Sequence, residues 1–376
     1  MSARRYIYLF TSALLVLAGM VIVLNRVIDP FWYYRDISIE GVNAVKTRFS
    51  YYERHVKPEL VRLEQPASLI FGSSFAEIGF NPLHPALKGV GKSYNFALAG
   101  AGWDMTLCSM QFAIQQDLAL RQIVVGIHPE NMPSRACEED IEKMQNPDVR
   151  AFLFSYDALQ ASINTILDQR KQTPSHTAEG MYFYTRGKPE TASRFREYFA
   201  RYRKCKIDHV SGNLSFKGGF AGADQLDLSG LRDLLRATQG KGITVKLVLY
   251  PRHALFFEQE YQCGNRESRW KALTQIASEI EKVGGDKIEL WDFEGYHEIG
   301  TETITEAPNA LWQDPGHFNY EVGDIMLDEM FGLKPQNMGE LITAKNVPLR
   351  AERENKRREL YLQKHPEFLT QLESML

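Results

Sequence analysis

A serine oxygen becomes a useful nucleophile when a neighbouring base takes its proton, and the base works best when a carboxylate orients it. The chain carries these three groups in two places. Gly72-Ser73-Ser74 follows the apolar run Ala67-Ser68-Leu69-Ile70-Phe71, and Asp314-Pro315-Gly316-His317 lies near the other end. Glycine permits a sharp strand-to-helix turn, which would present Ser74 at the start of a helix. Three residues of turn let the Asp314 carboxylate reach Nδ1 of His317 while Nε2 faces the serine. Such a set performs acyl transfer through a serine ester. Taken separately, Gly72-Ser73-Ser74 also fits an ordinary helix cap, and Asp314-x-x-His317 a capping Asp beside an incidental His.

Five β-rich runs would position these groups: Ser68–Phe71, Tyr94–Leu98, Gln122–Ile127, Thr244–Tyr250 and Lys287–Phe293. Several are apolar nearly throughout, as strands covered on both faces are. Helical spacing recurs between them at Trp103, Leu107, Met110, Ile114 and Leu118, at Leu228, Leu231, Leu234 and Leu235, and at Trp270, Leu273, Ile276 and Ile280. This alternation predicts an α/β fold with a parallel sheet and helices on both faces. Gly284-Gly285 is placed to end a helix before the last strand. Residues 131–240 break the alternation and read as a helical insertion.

In open α/β sheets, ligands bind beyond the carboxyl ends of the strands. The second run leads into Ala99-Gly100-Ala101-Gly102, where a glycine N–H could approach a carbonyl closely. The third leads into His128-Pro129-Glu130-Asn131, making His128 a second candidate base. The fourth leads into Tyr250-Pro251-Arg252-His253. Arg252 and His253 are candidates for holding substrate, with a surface ion pair the simpler reading of Arg252.

Ser74 after the first strand and Asp314-x-x-His317 after the fifth resemble the SGNH (GDSL-type) hydrolase superfamily over roughly residues 67–332, outside the insertion. The resemblance implies a three-layer α/β/α sandwich with a five-stranded, flavodoxin-like parallel sheet. It also implies Ser74 as nucleophile, His317 as base and Asp314 as its partner, with oxyanion donors at the N–H groups of Ser74 and Gly100. The family's third block usually reads G-x-N-D, whose Asn completes the oxyanion site. Here Gly126-Ile127-His128-Pro129-Glu130-Asn131 stands instead, with Asn131 as the substitute donor in a different register. Phe71-Gly72-Ser73-Ser74 with Phe80-Asn81-Pro82-Leu83-His84-Pro85 is similar to the membrane-anchored D-alanine transfer proteins of the teichoic-acid pathway. That similarity implies acyl transfer onto an envelope polymer, beside a polytopic membrane acyltransferase.

With 376 residues, 44% hydrophobic and 24% charged, the chain has ample length for a core, and its net charge of −3 gives no reason to expect nucleic acid. The run from Tyr6 to Leu24 carries no charge. At about 1.5 Å per residue it reaches roughly 30 Å, the thickness of a bilayer core. No A-x-A cleavage signal follows, and Leu17-Ala18-Gly19-Met20 has Met where a lipoprotein would have Cys. A retained anchor is expected, with Arg4 and Arg5 inside and the rest of the chain outside the cytoplasm. Phe31-Trp32-Tyr33-Tyr34 reads either as an aromatic belt at the interface or as the first core segment.

Residues 1–28 are thus a cytoplasmic stub and transmembrane anchor, and 29–66 a membrane-proximal linker. Residues 67–332 form the domain, with its insertion at 131–240, and 333–376 a charged helical tail, read as a solvated helix or as a docking helix for a partner or the membrane surface. Of the four cysteines, Cys108 reads as a buried thiol, and one disulfide is expected among Cys137, Cys205 and Cys263. No zinc-type spacing and no H-E-x-x-H is present, so neither metal nor cofactor is expected. The expected protein is a single-pass inner-membrane esterase or acyltransferase with a periplasmic domain, acting on an acylated glycan or exopolysaccharide. The alternative is an inactive SGNH scaffold that assembles an envelope complex.

Overall fold

The computed structural model describes all residues except 1–2, 117–118, 130–131, 171–175, 183–190, 203–204, 208–213, 217–225, 263–265, 308, 310 and 376. The chain divides into two compact units, one of Met1–Glu64 with Glu142–Ala178 and the other of Gln65–Ile141 with Glu179–Leu376.

The second unit is built on a sheet. Its strands are β1 (Ser68–Phe71), β2 (Ser93–Asn95), β3 (Gln122–Ile127), β6 (Thr244–Leu249), β7 (Ile288–Asp292) and β8 (Glu340–Leu341), in the order β2-β1-β3-β6-β7-β8. A separate antiparallel pair consists of β4 (Cys205–Ile207) and β5 (Leu214–Phe216). Parallel pairing runs from β2 through β7, with Ser68 opposite Gln122, Val125 opposite Leu247 and Leu249 opposite Asp292. Every residue of β1 and β3 is buried, as the unbroken apolar runs predict, whereas β7 alternates.

The sheet is therefore six-stranded and mixed, not five-stranded and parallel. The sixth strand, β8, pairs antiparallel to β7 through Trp291 and Leu341. Two residues carry no apolar run to announce a strand, and β8 exists because the edge of β7 offers free backbone groups. The Ile342 N–H continues the ladder, donating to Leu290 O at 2.7 Å.

The charged tail is not a solvated helix. Arg350 and Glu354, on the helix Val347–Lys364, are buried, and Phe368, Leu372 and Met375 of the helix Glu367–Met375 join the apolar core with Phe256, Phe293 and Trp312. Its charges are neutralised by carboxylates distant in sequence: Arg350 lies 3.3 Å from Asp292, and Arg358 2.7 Å from Glu258.

The first unit also departs from the expected boundaries. Residues 29–64 are folded, with the helix Glu53–Glu64, and 142–178 pack with them rather than with the remainder of the insertion. The Asn25 amide donates to Leu153 O at 2.9 Å and accepts from Ser162 Oγ at 2.8 Å. Phe31 stacks on Tyr52 and Tyr33 on Phe152, so Phe31 is core, while Trp32, Tyr33 and Tyr34 are half-buried around it. The helix Ala3–Ile28 is long and apolar enough to cross a membrane.

Cys108 and Cys137 form a disulfide with a Cα–Cα distance of 5.1 Å. The thiol expected to be free is thus paired, because the helix Trp103–Gln115 carries Cys108 to the segment before Glu138. The Cys205 side chain and Cys263 lie outside the described residues.

The helices Ser74–Gly79 and Tyr320–Met330 meet closely at glycines: a Cβ on Gly323 would overlap the Gly79 carbonyl oxygen, and one on Gly79 would overlap the Phe318 ring. Gly323→Ala should cost at least about 1–3 kcal/mol of stability, the usual penalty for overpacking. A urea titration measures it, and a wild-type midpoint would disprove the contact.

Candidate functional site

The nucleophile candidate stands where the strand-end argument places it. Gly72, with φ of 140°, makes the turn out of β1. Its carbonyl accepts from Leu98 N at 3.1 Å, and the Ser73 carbonyl accepts from Ala76 N and Glu77 N as the helix Ser74–Gly79 begins. The far end of that helix is held by the buried Asn95. Its amide donates to Ala76 O at 3.0 Å and Phe80 O at 2.9 Å, while its Oδ1 accepts from Ala97 N.

His317 arrives on a tight loop. Gln313 N donates to His317 O, Trp312 bridges to Phe318, and the buried Trp312 indole donates to Ile299 O at 2.9 Å. The Asp314 carboxylate organises the turn: Oδ1 accepts from Gly316 N and His317 N, each at 2.9 Å. Its Oδ2 accepts from His317 Nδ1 at 2.8 Å. With the ring proton assigned to Nδ1, Nε2 is an acceptor, and Ser74 Oγ lies 2.9 Å from it across a sequence separation of 243. Burial raises the Asp314 pKa, but the facing imidazole and the two backbone N–H groups outweigh it and hold the carboxyl below its ordinary value.

No family model matches this sequence. No curated protein matches it. A solved structure described as "a putative platelet activating factor from Streptococcus pneumonia" aligns with 88% of this chain and 98% of its own, at 12% identity and a TM-score of 0.30. That likeness is too slight to bear on the chemistry.

Three further side chains surround the pair: Phe75, which motif spacing does not reveal, Tyr250, and His128, the second candidate base, which faces Ser73 rather than Ser74. Phe75 stacks on the His317 ring, with centroids 4.3 Å apart and planes 25° apart, and a Cβ on Gly316 would press into it. His128 meets the Phe75 ring edge-on at 4.9 Å, and its Nε2 lies 3.4 Å from Ser73 Oγ. Desolvation first, then the positive charge of Arg252, lower the His128 pKa to about 3, so this ring stays neutral. Tyr250, at the end of β6, projects its hydroxyl over Gly72 and Gly126, where any Cβ would overlap it. The Gly at 126, preceding His128 in sequence, was the available signal for that close approach.

Of the other expected site residues, Arg252 and His253 depart from the expectation. Gly100 is exposed in a turn with φ of 67°, and no backbone acceptor among the described residues takes its N–H. Asn131 lies outside the described residues. Arg252 is buried and paired, 2.6 Å from Glu294 and 3.1 Å from Glu260. It belongs to an internal network with Arg266, Arg269, Arg350 and Asp292, and is not a surface ion pair or a substrate contact. His253 is fully buried. Its Nε2 donates to Glu302 O at 2.8 Å and its Nδ1 accepts from Leu255 N, so both ring nitrogens serve the backbone. Burial lowers its pKa to about 4 and keeps that tautomer neutral.

Proposed function

We propose that this protein is a membrane-anchored serine O-acyl esterase or O-acyltransferase of SGNH type, acting outside the cytoplasm on an acylated envelope glycan or exopolysaccharide. The observation that carries the reading is the hydrogen-bonded chain from Ser74 Oγ to His317 Nε2 and from His317 Nδ1 to Asp314.

Ser74 Oγ attacks the acyl carbonyl as His317 Nε2 takes its proton. Asp314 holds the imidazole in the required tautomer and stabilises the imidazolium. The N–H groups of Ser74 and Gly100 receive the oxyanion, with Asn131 as third donor. His317 then gives the proton to the sugar oxygen as its bond to the acyl carbon breaks, and the sugar leaves as a free hydroxyl. In the second half-reaction water or an acceptor hydroxyl, deprotonated by the same imidazole, attacks the ester on Ser74, and the imidazolium returns the proton to Ser74 Oγ as its bond to the acyl group breaks. Hydrolysis and transfer use the same groups and differ in which nucleophile the site admits. A neutral His128 suits this cycle, because it adds no positive charge beside the imidazolium that forms on His317.

Two features support the proposed compartment. The apolar helix Ala3–Ile28 supports a single-pass anchor in the inner membrane, and the Cys108–Cys137 disulfide supports an oxidising space for the rest of the chain. A polytopic acyltransferase in the same membrane is the proposed partner.

The competing reading, an inactive scaffold, draws on the absence of the G-x-N-D block. A fluorophosphonate probe separates the two. The folded full-length protein should be labelled, and peptide mapping should place the adduct on Ser74. A folded protein that resists labelling at millimolar probe would favour the scaffold.

A further inference from the structure

The helix Tyr156–Asp168 is inverted for a helix in water. Its buried face is small and polar, with Ala158, Ala161, Ser162 and Thr165. Its large apolar side chains point outward: Tyr156 is 77% exposed, Ile163 46%, Ile166 37% and Leu167 66%. Phe154, in the preceding turn, is 57% exposed. A water-facing helix ordinarily turns such residues inward. Tyr156, Ile163 and Leu167 follow one another at seven- and four-residue spacing, so they form one stripe.

This helix and its neighbour Val149–Leu153 pack against the end of Ala3–Ile28. Asn25 is buried there, bonded to Leu153 O and Ser162 Oγ, while Ala18, Val21 and Leu24 on the preceding turns are half-covered. The small residues permit that close packing. The carboxylates of the inverted helix are engaged on the protein side, Asp168 with Arg48 at 2.6 Å and Asp157 with the Tyr52 hydroxyl at 3.1 Å. The exposed stripe is therefore uncharged, apolar apart from Gln160, and lies on a helix that packs beside the one that reads as the anchor.

We propose that Phe154, Tyr156, Ile163, Ile166 and Leu167 form a lipid-contacting face that lies in the outer membrane–water interface. Lipid is the occupant because the helix that carries the patch packs directly against a helix long enough to span the bilayer. Interfacial helices bury such a face about 5–10 Å into the headgroup and acyl boundary. The face would fix the orientation of this unit on the membrane, where a single anchor alone leaves it free to tilt. The inference rests on the anchoring reading of Ala3–Ile28.

The test is tryptophan quenching in the full-length protein, reconstituted in phosphatidylcholine nanodiscs with or without bromine on the acyl chains near the glycerol. Leu167→Trp reports the patch and Val16→Trp the anchor. Leu360→Trp, at a 56% exposed position on the helix Val347–Lys364, is the aqueous control. After subtraction of the wild-type spectrum, Leu167→Trp and Val16→Trp should be blue-shifted and quenched by brominated lipid, and Leu360→Trp should be neither. If Val16→Trp is quenched and Leu167→Trp behaves like Leu360→Trp, the anchor stands and the lipid face is wrong. A Leu167→Trp signal that shifts only when a partner protein is added likewise overturns it. If neither Val16→Trp nor Leu167→Trp is quenched, the anchor reading fails together with the proposal.

Discussion

Ser74→Ala should lower the turnover of a small activated ester by at least about 10³-fold, with an unchanged melting temperature. The substitution removes the attacking oxygen and the group that His317 deprotonates, so only binding and oxyanion stabilisation remain. Folding should survive, because Ser74 is half-buried and its one side-chain hydrogen bond among the described residues goes to His317 Nε2. Groups that act as a unit are not additive. The double variant Ser74→Ala/His317→Ala should therefore be no slower than Ser74→Ala alone. Steady-state kinetics of the wild type, both single variants and the double variant check this. Wild-type turnover by folded Ser74→Ala would remove the proposed nucleophile. Independent, multiplying losses would show that Ser74 and His317 do not work on the same proton.

The second large effect concerns stability. Arg269 has no exposed surface, and its guanidinium lies 3.5 Å from Asp292 and in direct contact with Glu294. Arg269→Met keeps much of the volume but leaves buried carboxylates short of one positive charge. Breaking one member out of a buried ion pair typically costs about 3–5 kcal/mol, because the remaining charge keeps its desolvation penalty without its partner. Burial raises the Glu294 pKa, but Arg252, Arg269 and Arg266 more than reverse it and hold the carboxyl below its usual value. A carboxyl lowered in the folded state contributes stability that is complete above its unfolded value, about 4.3, and is lost as pH falls through the lower folded value. In Arg269→Met the deficit at neutral pH should shrink on mild acidification, since a proton can then replace the missing cation. Urea titrations of both proteins at neutral pH and near pH 5 measure this. A deficit below about 1 kcal/mol at neutral pH, in the range of a surface pair, would show that the network does not depend on Arg269.

The two readings of Arg252 show where sequence reasoning ends. A strand-end arginine is chemically suited to an anionic substrate, and its residue type does not reveal whether carboxylates are already waiting for it. Glu260 and Glu294 lie 8 and 42 residues away, and only the packing of the strand ends brings both to the guanidinium. Arg350 and Glu354 in the tail follow the same logic. A charged helix reads as solvated until the fold supplies Asp292 beneath it. The Cys108–Cys137 pairing was hidden similarly, since Cys108 lies within a helical apolar pattern that by itself suggests a buried thiol.

Local pattern was sufficient for the inner parallel strands. β1 and β3 have the predicted bounds and β6 and β7 nearly so, because a strand buried on both faces must be apolar along its length. β2 ends at Asn95, earlier than its apolar run, although Phe96 N and Leu98 N still donate to Ile70 O and Gly72 O as the chain turns away.

The sequence by itself determined the apolar N-terminal helix, the alternation of strands and helices, and the candidates Ser74, Asp314 and His317, since each depends on a few neighbouring residues. Asp314 and His317 are three residues apart, so their hydrogen bond is a property of one turn. Tertiary structure decided everything that joins distant segments. Ser74 and His317 meet because two helices approach at Gly79 and Gly323, and because Phe75, for which Gly316 leaves room, stacks on the imidazole. Those contacts are short-range forces between segments separated by most of the chain, and the chain must fold before they exist.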